Sequence, residues 1–73
     1  MKISIRYCKV VEEIVEVDDK FEKMTDEELL YEDYTKLRKE LFDVIDEKTE
    51  CNAYNDIIDI YSEDTGNLLC EWN

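Results

Sequence analysis

Polar and apolar residues alternate over residues 2–8, with Ile3, Ile5 and Tyr7 on one side and Lys2, Ser4 and Arg6 on the other. That two-residue period predicts a half-buried strand. A second stretch rich in β-branched residues, Val10-Val11-Glu12-Glu13-Ile14-Val15-Glu16-Val17, resumes the pattern. No Gly, Pro or Asn lies between the two stretches to make a tight turn. Residues 2–17 are therefore either one long strand with a bulge near Lys9–Val11 or two strands joined by an irregular turn. Two paired strands are favoured, because a single strand of that length is long for a domain of 73 residues.

Farther along, Thr25-Asp26-Glu27-Glu28 has the spacing of a capping box, in which the Thr25 hydroxyl accepts the Glu28 amide and Glu28 reaches back. Leu30, Tyr34, Leu37, Leu41, Val44 and Ile45 then recur at helical spacing. Together these predict a helix from about Asp26 to Lys48, with a possible break near Tyr31–Asp33. Ile57-Ile58-Asp59-Ile60-Tyr61 reads as a strand, Ser62 to Asn67 as a turn holding the chain's one glycine, and the alternating segment from Leu68 to Asn73 as the returning strand. Gly66 supplies the positive φ that such a hairpin turn needs. The order β(β)αββ predicts an α+β fold: a small antiparallel sheet of three to four strands with one helix packed on a face, in a single domain spanning 1–73.

Charge changes the picture more than composition does. Twenty-one Asp and Glu against nine Lys and Arg leave a formal charge of −12. Such a field repels nucleic acid and anionic membrane surfaces and attracts basic protein surfaces, which are commonly built to hold nucleic acid. The apolar share of 44%, with five Tyr, two Phe and one Trp, is too high for a disordered acidic tail. No stretch approaches the roughly 20 apolar residues of a membrane span, and the alternating N-terminal residues do not read as a signal peptide. Cys8, Cys51 and Cys70 are odd in number and lack C-x-x-C spacing, so they read as reduced thiols. The cytoplasm, that of a host cell if the chain is phage-encoded, is the expected compartment.

Catalytic chemistry finds little support. Histidine is absent, which removes the commonest general base and metal ligand. Ser4 and Ser62 therefore have no histidine partner, and a single Gly cannot build a phosphate-cradling loop. Cys8, near Arg6 and Lys9, has a cationic setting but no activating base. Asp56, Asp59, Glu63 and Asp64 cluster in sequence without the spacing of a calcium loop. The expectation is a protein that is not an enzyme and needs no metal or cofactor.

The acidity is banked in two blocks. Residues 12–35 hold eleven acids against Lys20 and Lys23, and residues 40–73 hold ten against Lys48. Between them lies a basic stripe at Lys36, Arg38 and Lys39. On a helical wheel Glu28, Glu32, Lys36, Lys39, Asp43 and Asp46 point outward, and spacings such as Glu32–Lys36 give ordinary helix-surface support. Acids at the helix start suit its dipole, whereas Asp43, Asp46 and Glu47 near its end oppose it, at a cost of about 0.3–1 kcal/mol each when exposed. Two readings follow: the acids only solubilise, with Lys48 offsetting those at the helix end, or they form rows that imitate phosphates. In the second reading the partner-binding residues are Asp18, Asp19, Asp26, Glu27, Glu28, Glu32, Asp33, Asp43, Asp46, Glu47, Asp59, Glu63 and Asp64. Of these, Asp59, Glu63 and Asp64, joined by Glu71, form the exposed side of the hairpin. Tyr31, Tyr34, Tyr54 and Tyr61 are aromatic anchors set among the acids, with Tyr34 the one best suited to the core.

Small size, the −12 charge, the lack of His and Pro, and acid runs such as Asp18-Asp19, Asp26-Glu27-Glu28 and Glu63-Asp64 make the chain resemble the small acidic proteins of phages and mobile elements, among them anti-CRISPR and anti-restriction inhibitors that mimic nucleic acid. The resemblance is one of composition and carries no motif. It implies an inhibitor that binds a nuclease or nuclease–RNA complex of host defence stoichiometrically through its basic surface, without touching nucleic acid or membrane itself. The alternative is a structural module that homodimerises or pairs with a partner through an exposed strand edge.

Overall fold

The computed structural model describes residues 1–8, 11–50, 52 and 59–71. Four strands form one antiparallel sheet: β1 (Lys2–Cys8), β2 (Val11–Glu16), β3 (Asp59–Ser62) and β4 (Leu68–Glu71), in the order β2-β1-β3-β4. A 3-10 helix (Asp19–Thr25) and one α-helix, α1 (Tyr31–Lys48), complete the α+β fold. Residues 2–17 are thus two paired strands, with Ile3 opposite Val15, Ile5 opposite Glu13 and a register shift between Arg6 and Cys8. Lys9 and Val10 of the alternative bulge, and Ile57, Ile58 and Trp72 of the expected hairpin strands, lie outside the described residues.

The core forms on one face of the sheet. Ile3, Ile5, Ile60, Leu69 and Cys70 from the strands meet Leu41, Phe42 and Ile45 from α1 and Phe21 and Met24 from the 3-10 helix. Helical spacing places Leu41 and Ile45 one turn apart, so α1 lays a single apolar stripe against the sheet. On the sheet side the inward residues follow the two-residue period until β4. There the register shifts, so that Leu68 faces Tyr61 and Cys70 faces Ile60. The shift puts both Leu69 and Cys70 into the core, as a bulge does when it doubles the residues opposite one partner. Gly66, at φ +76°, makes the hairpin turn, with its amide donating to the Ser62 carbonyl at 2.8 Å.

The start of α1 departs from the expectation. The Thr25 hydroxyl donates back to the Glu22 carbonyl at 2.8 Å, closing the 3-10 helix, and no capping box forms. Asp26 instead accepts the Glu28 amide at 2.9 Å in a turn, and α1 begins only at Tyr31, after an extended Leu30 with no side-chain cap. The cause is apolar demand: Phe21 and Met24 are buried by winding residues 19–25 into a separate short helix. Thr25 therefore ends one helix and cannot begin the next. Glu32 and Asp33 still lie in the first turn of α1, where its dipole favours negative charge.

The beginning of α1 is fixed to the last strand by Tyr34, whose hydroxyl donates to the Leu69 carbonyl at 3.1 Å. Burial pushes the Tyr34 phenol up to about 12, with the neighbouring Cys70 adding to the shift. Burial likewise raises the Cys70 thiol. Both groups are held neutral in the folded chain, so the unfolded chain ionises first. Their contribution is intact below the ordinary thiol value of 9.0, then is lost as pH rises through the ordinary phenol value of 10.0 toward about 12. Melting temperature followed from pH 8 upward is expected to fall, first as the Met1 amine, held protonated by Asp19, titrates above its ordinary 8.0 and then through that window, and Tyr34→Phe is expected to make the fall above pH 10 shallower.

Candidate functional site

The structure sorts the expected partner-binding carboxylates into different local settings. Asp18 caps the 3-10 helix, accepting the Lys20 amide at 2.8 Å. Asp19 lies 2.6 Å from the Met1 amine, which also donates to the Val17 carbonyl at 2.8 Å. Asp19 thus ties the residue before the central strand β1 to the 3-10 helix, and both acids remain exposed.

Asp26, Glu27, Glu28, Glu32 and Asp33 are all exposed and lie within eight residues that contain no cation. Because Thr25 turns back into the 3-10 helix, this segment is a turn followed by the first helical residues, rather than one helical face. Its geometry also exposes two large apolar side chains: Leu30 is 70% and Tyr31 76% accessible. Sequence periodicity assigned Leu30 to the apolar stripe of the helix. Its actual exposure follows from its place before the first helical residue, where the stripe does not extend.

Asp43, Asp46 and Glu47 are exposed along α1. The fold brings Asp43 to one shallow opening and Glu47 to another. One, of about 500 Å³, has Val17, Phe21 and Val44 on its walls with Asp18, Glu40 and Asp43 around them, and an ion pair from Lys20 to Glu40 at 2.7 Å beside it. The other, of about 640 Å³, joins Glu47 and Glu50 at the end of α1 to Glu12 and Glu13 of β2. There the Tyr7 hydroxyl donates to Glu13 at 3.3 Å. Lys48 donates to the Glu16 carbonyl at 2.7 Å and so pins the helix end to β2. Glu12, Glu13, Glu40 and Glu50 were not among the expected site residues. One signal was legible, since Glu13 alternates with Val11 and Val15 on the inward face of β2, where a carboxylate needs a polar neighbour.

Glu63 and Asp64 are exposed in the β3–β4 turn, but Asp59 is not part of an exposed row. It is only 6% accessible and forms an ion pair with Arg6 across the β1–β3 register. The hairpin pattern placed Asp59 on the outward side, and it does face away from the helices. The long Arg6 side chain beside it removes it from solvent. Of the tyrosines, Tyr31 and Tyr61 are exposed, Tyr34 is half-buried, and Tyr54 lies outside the described residues, as do Cys51 and Asp56.

Among the described residues no three acidic or sulfur side chains converge to hold a metal ion, and no helix is long and apolar enough to cross a membrane. Cys70 is a free, buried thiol. Removing Arg6 leaves the Asp59 carboxylate enclosed without its cation, so Arg6→Gln is expected to cost about 1–2 kcal/mol, less than a fully buried pair because Arg6 is half exposed. Urea unfolding measures this loss. Comparison with protein-family models, with curated proteins and with solved structures finds no match for this chain.

Proposed function

We propose that this protein is a small acidic binder that inhibits or regulates a nucleic-acid-binding protein by occupying its basic surface. The reading rests on one observation above the others: the segment from Asp26 to Asp33 sets five exposed carboxylates around exposed Leu30 and Tyr31. Solubility accounts for exposed acids. It gives no reason to leave two large apolar side chains in water beside them, whereas an interface with an apolar centre and a charged rim uses both. A basic cleft built for phosphates supplies the cations, and its apolar or stacking surfaces receive Leu30 and Tyr31. The binder acts stoichiometrically, without catalysis or cofactor.

Asp43, Asp46 and Glu47 on α1, and Glu63 and Asp64 in the turn, add to the long-range field that draws a basic partner in. They steer association, while residues 26–33 form the contact. Within the class of small acidic mobile-element inhibitors that the composition resembles, the target is a nuclease or nuclease–RNA complex of host defence, met in the host cytoplasm.

Immobilised protein incubated with host extract tests this reading. The captured partner is expected to be displaced by DNA or RNA and to bind at least tenfold more weakly when salt rises from about 0.1 to about 0.5 M, because contact charges are screened over that range. Reversal of Glu27, Glu28 and Glu32 to Lys is expected to abolish capture while circular dichroism stays unchanged. A partner held equally at both salts and indifferent to nucleic acid would refute the proposal.

A further inference from the structure

The face of the sheet turned away from the helices has a pattern that the acidic segment does not explain. Across the four strands, Ile14, Ser4, Tyr61 and Leu68 stand in one row, since Ser4 pairs with both Ile14 and Tyr61, and Tyr61 with Leu68. Ile14 is 57%, Tyr61 42% and Leu68 41% accessible. Rows of charge flank them. Glu12, Arg6, Asp59 and Glu71 are cross-strand neighbours on one side. On the other, Lys2 lies between Glu16 and Glu63, whose amide donates to the Lys2 carbonyl at 2.9 Å.

The two central strands are opposites. On this face β1 presents Lys2, Ser4 and Arg6: cation, small residue, cation. Beside them β3 and its next residue present Glu63, Tyr61 and Asp59: anion, large residue, anion. We infer that a second copy of this chain docks on this face, related by a two-fold axis that runs along the strands between β1 and β3. That operation lays β1 of each copy on β3 of the other. Tyr61 then lies over the small, already buried Ser4 of the partner subunit, Ile14 meets Leu68, Lys2 faces Glu63, and Arg6 lies over an Asp59 already enclosed by its own Arg6. An isologous interface requires this kind of self-complementary surface. Glu12 and Glu71 meet at the wet rim, where like charges are partly screened.

Size agrees with this occupant. Four strands spaced about 4.8 Å apart, each about four to six residues long, bury about 1,000 Å² in total when two such faces stack, at the lower edge of specific interfaces. The face carries two cations among five acids, about the same proportion as the twenty-one acids and nine bases of the whole chain, so the pairing rests on where the charges stand, Lys2 beside Glu63, rather than on their balance. The sheet's edges suit pairing less well. β4 has four residues, and β2 carries Glu12, Glu13 and Glu16, both of them devices that discourage edge-to-edge contact. This dimer stands apart from the acidic segment, and neither proposal depends on the other.

Sedimentation equilibrium of the protein alone, from about 10 µM to about 1 mM, tests it. A concentration-dependent dimer is expected, and it tightens with added salt because each copy carries −12. That sign is opposite to the one expected for binding a basic partner, so the two proposals fail separately. Tyr61→Thr is expected to weaken the dimer at least tenfold. Glu63→Lys is the sharper variant. It lowers net repulsion by two charges per copy, yet places a lysine over Lys2 of the partner subunit, so it is expected to weaken the dimer about threefold or more. A monomer at every concentration, a dimer that Glu63→Lys tightens, or one that both variants leave unchanged would overturn the inference. Circular dichroism of each variant confirms that the fold persists.

Discussion

The antiparallel register between β1 and β3 is the constraint from which the rest of the structure follows. It joins residues more than fifty positions apart, setting Ile5 against Ile60 and Arg6 against Asp59. On the inward side it completes the surface that Phe42, Leu41 and Ile45 cover. On the outward side it sets the cations of the first strand beside the acids of the third. A one-residue slip would turn Ile3 and Ile5 to solvent and bring Lys2 and Arg6 into the core, so the apolar pattern fixes the register strongly.

A chain of this size with one long helix covers one face of a four-stranded sheet. Its acids must therefore be placed where they do not oppose that packing. Several have local structural duties: Asp18 caps a short helix, Asp19 meets the Met1 amine, Glu12 accepts the Ser4 hydroxyl at 2.6 Å, and Asp59 takes Arg6. Asp26 likewise accepts a backbone amide, that of Glu28, but Glu27, Glu28, Glu32 and Asp33 lie in a turn and first helical residues that also expose Leu30 and Tyr31. The proposed division of labour follows from this contrast. The acidic turn meets a basic partner, and the sheet face, with its apolar row of Ile14, Tyr61 and Leu68, meets a second copy.

Much of the fold was legible in the sequence because its signals were periodic. Alternation in β1 and β2, the helical spacing through Leu41 and Ile45, and Gly66 in the hairpin turn each led to the observed element. What was not legible depended on competition between neighbours. The Thr25–Glu28 spacing is a sound capping signal, but Phe21 and Met24 recruit Thr25 into the preceding 3-10 helix. The alternation of β4 could not reveal the register shift that buries Leu69 and Cys70 together. For the candidate site, charge runs located the acids along the chain but not their settings. Asp59 looked like a surface carboxylate until Arg6, 53 residues earlier, was placed beside it. Glu13 and Glu47 are distant in sequence and meet at one opening only through the fold.

The central claim is that residues 26–33 form the contact surface and the remaining acids act at a distance. Backbone amide shifts of labelled protein, titrated with an arginine-rich peptide that also carries leucine and tyrosine, test this most directly. The account predicts changes concentrated at Asp26–Asp33, with Leu30 and Tyr31 among the largest, and small changes at Asp43, Asp46, Glu63 and Asp64. Changes spread evenly over all exposed acids, or centred elsewhere, would contradict it.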